Sequence, residues 1–352
     1  MQLNIFKKQY QYIGLHVNEH ALKAIQFDFK SGSSKIHGLA NVQLPKGLMS
    51  NDAFTDRKKL SEFIKISLAS PQAGAFSTNR VVVSIPESKS FIRVMTMNAI
   101  SEDQAENAIM FEAEAYIPVP MDQVYFDWQI LSRKDKTMDV LLIASPKDYV
   151  DAFMGILDGA GLKLCGIEVE AQSVARALVP SGVAEPVLIA DMDAVKTAFV
   201  MVENSELQFT SSVPVAGNVF TEKLAAILNV TPEQAEKVKR DIGLENTVDY
   251  PNLKTELMPA VKDLAAEIKN ILKYHYDNSE THIAHILLTG GGAKLKHIGE
   301  VLPTLLDTYA PISVTVANPL EHIPNLDNST LTPYEALSFT TAIGLAMWGM
   351  RE

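Results

Sequence analysis

The chain has 352 residues, of which 47% are apolar and 21% charged, with 31 Lys+Arg against 42 Asp+Glu and a net charge of −11. At about 100–200 residues per domain this length supports two or three domains, and the apolar share excludes a disordered chain. The negative charge argues against a general nucleic-acid coat, and a single cysteine, Cys165, excludes an intramolecular disulfide or a multi-cysteine metal site and fits a reducing compartment.

At the start of the chain Lys7 and Lys8 follow only a short apolar piece, with no apolar core behind them, so the segment does not read as a signal peptide. Residues 6–8 could touch an anionic membrane surface; the plainer reading is a terminal tail. No apolar run reaches the about 20 residues that a bilayer span needs. A soluble, cytoplasmic protein is expected.

Residues 12–17 and 21–29 alternate apolar and polar positions around a polar turn at 18–20, which predicts two strands of a hairpin, and a third strand covers 36–44. Residues 56–69 have helical spacing, and RVVVSI at 80–85 is a short apolar strand stopped by Pro86. A strand over 91–97 and a helix opened by the capping box Ser101–Gln104 follow. Strands over 124–131 and 138–144, a helix begun at Ser145-Pro146 and a strand over 164–169 complete a β-α-β-β-α-β unit, read as a small α+β domain inserted at 87–166.

From residue 186 the opening pattern recurs, with strands over 187–191, 197–202 and 207–213 separated by polar turns. Helices over 217–228, 231–242 and 255–276 come next, the second opened by the box Thr231–Gln234. A strand over 282–289 enters Gly290-Gly-Gly-Ala293, a helix covers 298–308, and the box Thr332–Glu335 precedes an apolar helix over 336–349. Two related α/β lobes are expected. The first spans 1–86, joined by 167–186 and the C-terminal segment 332–352. The second spans 187–331, with a helical subdomain near 221–278.

The triple-glycine turn brings backbone N–H groups to a helix start, where anions are favoured. It fits neither the Rossmann nor the P-loop pattern, and by itself it reads equally as a tight structural turn. His282 and His285, three apart in a strand, would face opposite sides and spoil chelation. The two glycosylation sequons are incidental, Glu112 and Glu114 cannot share a helical face, and no nucleophile triad has a local signature.

Several stretches in order resemble the actin-like family that serves type IV pilus assembly, the PilM family, relatives of the cell-division protein FtsA. They are FEAEAYIPVP at 111–120, VYFDWQIL at 124–131, VPVAGNVFT at 213–221, EQAEKVKR at 233–240, LTGGGAKL at 288–295, VANPL at 316–320 and AIGLA at 342–346. The resemblance covers nearly the whole chain and implies an actin-like (ribonuclease H-like) two-lobed α/β fold, with the insertion in the place of the family's extra small domain. It also implies a cleft for ATP and magnesium, and a cytoplasmic scaffold held at the inner membrane through the N-terminal cytoplasmic segment of a PilN-like partner. That segment would lie in a groove between the first lobe and the inserted domain. Homo-oligomers are compatible with the resemblance; nucleic acid is not an expected partner.

Carried over residue by residue, the nucleotide candidates are Gly14, His16 and Asn18 in the first hairpin and Asp191 and Asp193 in the second. Glu236, Lys239, Gly290, Gly291 and Gly292 match on the adenosine side. The phosphate side departs from the family. His16 stands for the magnesium-side aspartate, and Asn18 and Asp193 stand for the two glycines that let the backbone pass beneath a polyphosphate. Asp193 also adds a negative charge, which at about 4 Å from a phosphate repels by several kcal/mol. Asn18 is expected to keep the turn by tolerating a positive φ. These changes imply ATP bound weakly or not at all and no efficient ATPase. The alternative is an active actin-like ATPase whose nucleotide state regulates partner binding.

Overall fold

The computed structural model describes residues 11–30, 33–133, 135–279, 281–306 and 311–348; the tail residues 6–8 lie outside them. The strands β1 (Ile13–Val17), β2 (Ala21–Lys30) and β3 (Ser33–Gln43) form an antiparallel meander, as their alternation predicts. A small hairpin, β4 (Met49–Ser50) and β5 (Ala53–Phe54), precedes helix α1 (Arg57–Ala69), whose first turn is capped by the Asp56 carboxylate accepting from the Lys59 N–H at 3.0 Å. After β6 (Ala73–Gly74) comes β7 (Arg80–Ile85), parallel to β1.

Next come β8 (Phe91–Asn98), α2 (Glu102–Ala113), β9 (Val124–Arg133), β10 (Thr137–Pro146), α3 (Lys147–Gly159), β11 (Lys163–Val169) and α4 (Glu170–Leu178). The remaining chain forms β12 (Val187–Met192), β13 (Thr197–Glu203), β14 (Glu206–Val213), α5 (Gly217–Leu228), α6 (Pro232–Asp241), α7 (Leu253–Ser279) and β15 (His285–Thr289). It ends with α8 (Ile298–Val301), β16 (Ser313–Val316), β17 (Leu326–Asp327), α9 (Pro333–Ala336) and α10 (Thr340–Ala346).

The first sheet runs β11-β7-β1-β2-β3-β17, with β6 also on β3, and the second runs β14-β13-β12-β15-β16. In each, a central strand (β1 or β12) has an antiparallel meander on one side and a parallel strand on the other. The two lobes therefore share strand order and polarity. Helices α1 and α3 cover one face of the first sheet through Leu60, Ile64, Phe153 and Ile156. The apolar faces of α4 and α10 are sandwiched between the two sheets, in one core with Ile25 and Phe27 of the first and Ile189 and Val200 of the second. That placement satisfies both lobes with the same two helices.

The insertion is smaller than the sequence predicts. Strands β8, β10 and β9 make a separate sheet over α2, but β11 hydrogen-bonds in parallel to β7 in the first sheet, and α3 packs in the first-lobe core. Parallel neighbours need a crossover helix; α3 is that helix, and the insertion interrupts the crossover between β7 and α3. The outer face of the inserted sheet is also engaged: Leu141 is fully buried in the interlobe core. At the other end β17 pairs with β3, so the chain rejoins the first lobe before residue 332.

Five local expectations change. The helix placed over 298–308 is α8 followed by a 3₁₀ turn at Leu302–Leu305, where Pro303 removes an N–H; residues 307 and 308 lie outside the described chain. The helix placed over 336–349 is split by a 3₁₀ turn at Leu337–Phe339, because the Leu337 carbonyl accepts from the Gly290 N–H and the Thr340 hydroxyl; residue 349 is likewise outside. His282 precedes β15 and stacks on Tyr276 at a centroid distance of 4.5 Å. The boxes at Thr231 and Thr332 form as predicted, whereas Ser101 makes no side-chain cap and Pro146, not Ser145, holds the cap position of α3. Among the described residues no helix is long and apolar enough to cross a membrane.

Candidate functional site

The two β-hairpin turns meet across the cleft. His16, next to last in β1, is buried, and its Nε2 lies 3.1 Å from Oε1 of Glu170, the first residue of α4. Asn18 in the β1–β2 turn accepts from the N–H groups of His20 and Ala21, both at 3.0 Å, and donates from Nδ2 to Asp193 Oδ2 at 3.1 Å. Its φ is not positive, so the turn is held by this side-chain loop and not by a left-handed residue. Asp193 is fixed in turn by its own backbone, whose N–H donates to Lys196 and whose carbonyl accepts from Gly217 at 2.9 Å.

His16, Asp191, Asp193 and Gly290 line one cavity of about 20 Å³ with Lys23, Glu170 and Lys196. This is room for about one water. Burial first, then the neighbouring Asp193 and Glu170 charges, pushes Asp191 up to about 7. Burial also works against Asp193, yet Lys23, His16 and the Ala194 N–H hold it below the ordinary aspartate range. The pair thus divides its protons unequally.

The glycine-rich turn packs against this hairpin. Gly290 has φ +81°, and a Cβ there would lie 2.5 Å from both Asp191 Oδ1 and the Met192 carbonyl. A Cβ on Gly292 would press on Met192 Cβ at 2.8 Å, whereas one on Gly291 would meet only Ser338 Oγ at 3.9 Å. Two of the three glycines are thus required by packing. Gly14 is also a packing residue: its Cβ would fall 2.0 Å from the Ala342 carbonyl, because α10 lies directly on β1.

Glu236 and Lys239, on α6, are brought together 2.5 Å apart but bond to each other and to α5. Lys239 is 3% exposed and donates to Thr221 Oγ1 at 3.0 Å, while Glu236 also accepts from Arg240 Nε at 2.8 Å. Burial, then Arg240, pushes the nearby Lys294 down to about 8; its ammonium sits 5.4 Å over the Tyr334 ring.

Four cleft residues have no signal in the sequence that singles them out. Lys23 is the strand partner of His16 across β1 and β2, a register that periodicity does not fix. Glu170 and Lys196 reach the cleft from the end of β11 and the β12–β13 turn. Glu87, in the turn after β7, is pushed up to about 7 by burial, with Lys196 opposing and Glu170 and Asp191 adding to the rise. Only an acid directly at a predicted strand end, as at Glu170, could have been a cue.

A second concavity lies between α1 and α3. It has a volume of about 700 Å³ and is lined by Arg57, Lys58, Glu62, Lys65 and Ile66 of α1 and by Asp151, Ala152, Gly155 and Ile156 of α3. A Cβ on Gly155 would meet nothing within 4 Å, and Ile66 is 59% exposed. The Asp151 carboxylate accepts from the Tyr125 hydroxyl of β9 at 2.9 Å, which sets the groove beside the inserted sheet.

The family described as Type IV pilus assembly protein PilM matches residues 14–350. Among solved structures, the PilM-PilN type IV pilus biogenesis complex is similar at 22% identity over 96% of this chain and 98% of that one, with a TM-score of 0.76. The ethanolamine utilization protein EutJ of Carboxydothermus hydrogenoformans follows at 14% identity, 99% and 92% coverage and a TM-score of 0.56. MreB5 of Spiroplasma citri bound to AMPPNP is similar at 12% identity, 98% and 97% coverage and a TM-score of 0.57. These likenesses show the actin-like two-lobed fold.

Proposed function

The chain belongs to the family of the type IV pilus assembly protein PilM, and from that premise we propose that it is a scaffold of a type IV pilus, or of a related secretion or competence machine, that binds the cytoplasmic N-terminal segment of a PilN-like inner-membrane protein. The scaffold would then work in the cytoplasm, at the membrane only through that partner. The similar PilM structure was solved as a complex with PilN, which supports a partner of this kind.

The observation that carries the reading is the α1–α3 groove, where the helix leaves Gly155 facing open space beside the half-exposed Ile66. An interior helical glycine costs about 1 kcal/mol relative to alanine, and packing does not require this one. An extended apolar segment would fill the floor, and acidic residues flanking it would suit Arg57, Lys58 and Lys65. The test is hydrogen exchange on the full chain with and without the N-terminal cytoplasmic peptide of a PilN-like protein. Slowed exchange in α1 and α3 is expected. Protection confined to the interlobe cleft, or none, would sink the assignment.

We further propose that partner binding does not depend on nucleotide, because the cleft side chains engage one another where a polyphosphate would need bare backbone. An ATPase whose nucleotide state governs binding is the competing reading, and the AMPPNP-bound MreB5 shows that this fold can hold a nucleotide.

A further inference from the structure

We infer that a cross-lobe clamp centred on Lys196 holds the cleft closed, occupying with side chains the place where a magnesium-bound polyphosphate would otherwise bridge the lobes. Lys196 belongs to the β12–β13 turn of the second lobe, and its Nζ reaches 3.9 Å from Glu170 Oε2 in the first. The other Glu170 oxygen faces His16 Nε2 at 3.1 Å, so one carboxylate ties a first-lobe strand end to a second-lobe turn. The second tie is the Asn18–Asp193 hydrogen bond between the two turns.

The surroundings match that role. Burial opposes the charge on Lys196, but Glu170, Glu87, Asp52 and Asp193 hold its pKa above the ordinary lysine range. Asp52 is itself pinned: its N–H donates to Glu19 Oε1 at 2.6 Å, and its carboxylate accepts from Ser88 Oγ at 2.5 Å, which anchors the β4–β5 hairpin to both the first turn and the segment after β7. Glu170 is the ion-pair partner of this ammonium, and the charges of Glu87, Asp52 and Asp193 act on it from farther away.

This donor set does not fit a magnesium-bound polyphosphate. Asp193 and Asn18 stand where both turns would need bare backbone, His16 is already engaged by Glu170, and the remaining cavity is about 20 Å³. The cleft already holds Glu170, Asp191 and Asp193, which oppose a further polyanion. The clamp concerns lobe closure and stands or falls separately from the partner groove, which lies on the other face of the first sheet.

Hydrogen exchange of the full chain tests it, read at the 191–198 turn. Lys196→Met should speed exchange there about tenfold or more and leave the outer β13–β14 amides unchanged, while Lys196→Arg keeps the protection. Millimolar Mg-ATP should alter neither turn in the parent. Should Lys196→Met fail to fold, Asn18→Ala is read at the same turn, which Asn18 touches through Asp193, and loosening there is again expected. Unchanged exchange in the variant read, or slower exchange of the parent's turns on adding Mg-ATP, would overturn the clamp.

Discussion

The interlobe cleft and the α1–α3 groove are both concave, yet they treat their polar and apolar groups in opposite ways. In the cleft, His16, Asn18, Glu170, Asp193 and Lys196 bond to one another around a cavity of about 20 Å³. In the groove, about 700 Å³ is left open beside Gly155, Ala152 and Ile66, with Arg57, Lys58, Glu62 and Lys65 along it. A site whose groups satisfy each other gains little from a ligand, because binding must first undo those contacts. A site with open apolar area gains from any segment that covers it. The difference teaches where binding energy is available in this chain: on the flank of the first lobe, and not between the lobes.

The largest effect should come from filling the groove. A Cβ at Gly155 meets nothing within 4 Å, so in Gly155→Trp the indole is expected to enter the groove and the fold to survive while the floor disappears. Affinity for the PilN-like peptide, measured by fluorescence anisotropy, is expected to fall by about a hundredfold or more, a loss of roughly 3 kcal/mol. Undiminished binding would mean that the partner sits elsewhere and would dissolve the contrast.

The reverse experiment opens the cleft. His16→Asp, Asn18→Gly and Asp193→Gly together restore a metal-side carboxylate and two bare backbone positions, and they remove both the Asn18–Asp193 bond and one acidic charge. Mg-ATP affinity by equilibrium dialysis should rise by about tenfold, since 1.4 kcal/mol is a factor of ten. A parent chain that already binds Mg-ATP at micromolar concentration would favour the ATPase reading. Gly292→Val is a poor probe of nucleotide, because its side chain would press on Met192 and the turn would fail before a ligand was tested.

Smaller still is the pH response of the cleft. Glu87 and Asp191 are each raised to about 7 in the fold, from 4.5 and 3.8. Below the unfolded values both states hold these protons. As pH rises towards 7 the unfolded chain releases them first, so stability present at low pH is lost as pH passes the folded values. Thermal unfolding should show a decline between about pH 4 and 7, with Glu87 contributing on the order of 1–2 kcal/mol after allowance for solvent screening. Glu87→Gln should flatten that decline; an unchanged slope would show that Glu87 is not desolvated.

Much of the fold was legible because it is written in local chemistry. The two meanders follow from alternation with polar turns, and the boxes at Thr231 and Thr332 formed where the residues predict them. What periodicity does not carry is which sheet an element joins. The helix over α3 was visible, but its role as the β7–β11 crossover depends on pairing between residues about 80 apart in sequence. The same limit applied to the site. The turns were found, yet the reason for Gly14 lies in α10 and the reason for Gly290 and Gly292 in the second hairpin, contacts made only after folding. Asn18 shows a subtler case: the residue type suggests a left-handed turn, and the side chain instead ties two N–H groups and a distant carboxylate.

The finest test of the contrast uses the smallest change at the groove floor. Glycine inside a helix lowers stability by about 0.5–1 kcal/mol relative to alanine, through the freedom it gives the unfolded chain. Gly155 lies within α3 and a methyl there meets nothing, so Gly155→Ala should raise stability by about that amount in urea unfolding, with an unchanged m-value. At Gly290 the same substitution should destabilise, because φ is +81° and the methyl would meet the Asp191 carboxylate. Opposite signs would show that the cleft glycine is there for the fold, and that the groove glycine is there against it. Peptide affinity of Gly155→Ala should drop only a few-fold, since a methyl shallows the floor without closing it. A destabilised Gly155→Ala would mean that the helix needs glycine for a packing reason, and the groove would lose its claim to be a site kept open at the expense of stability.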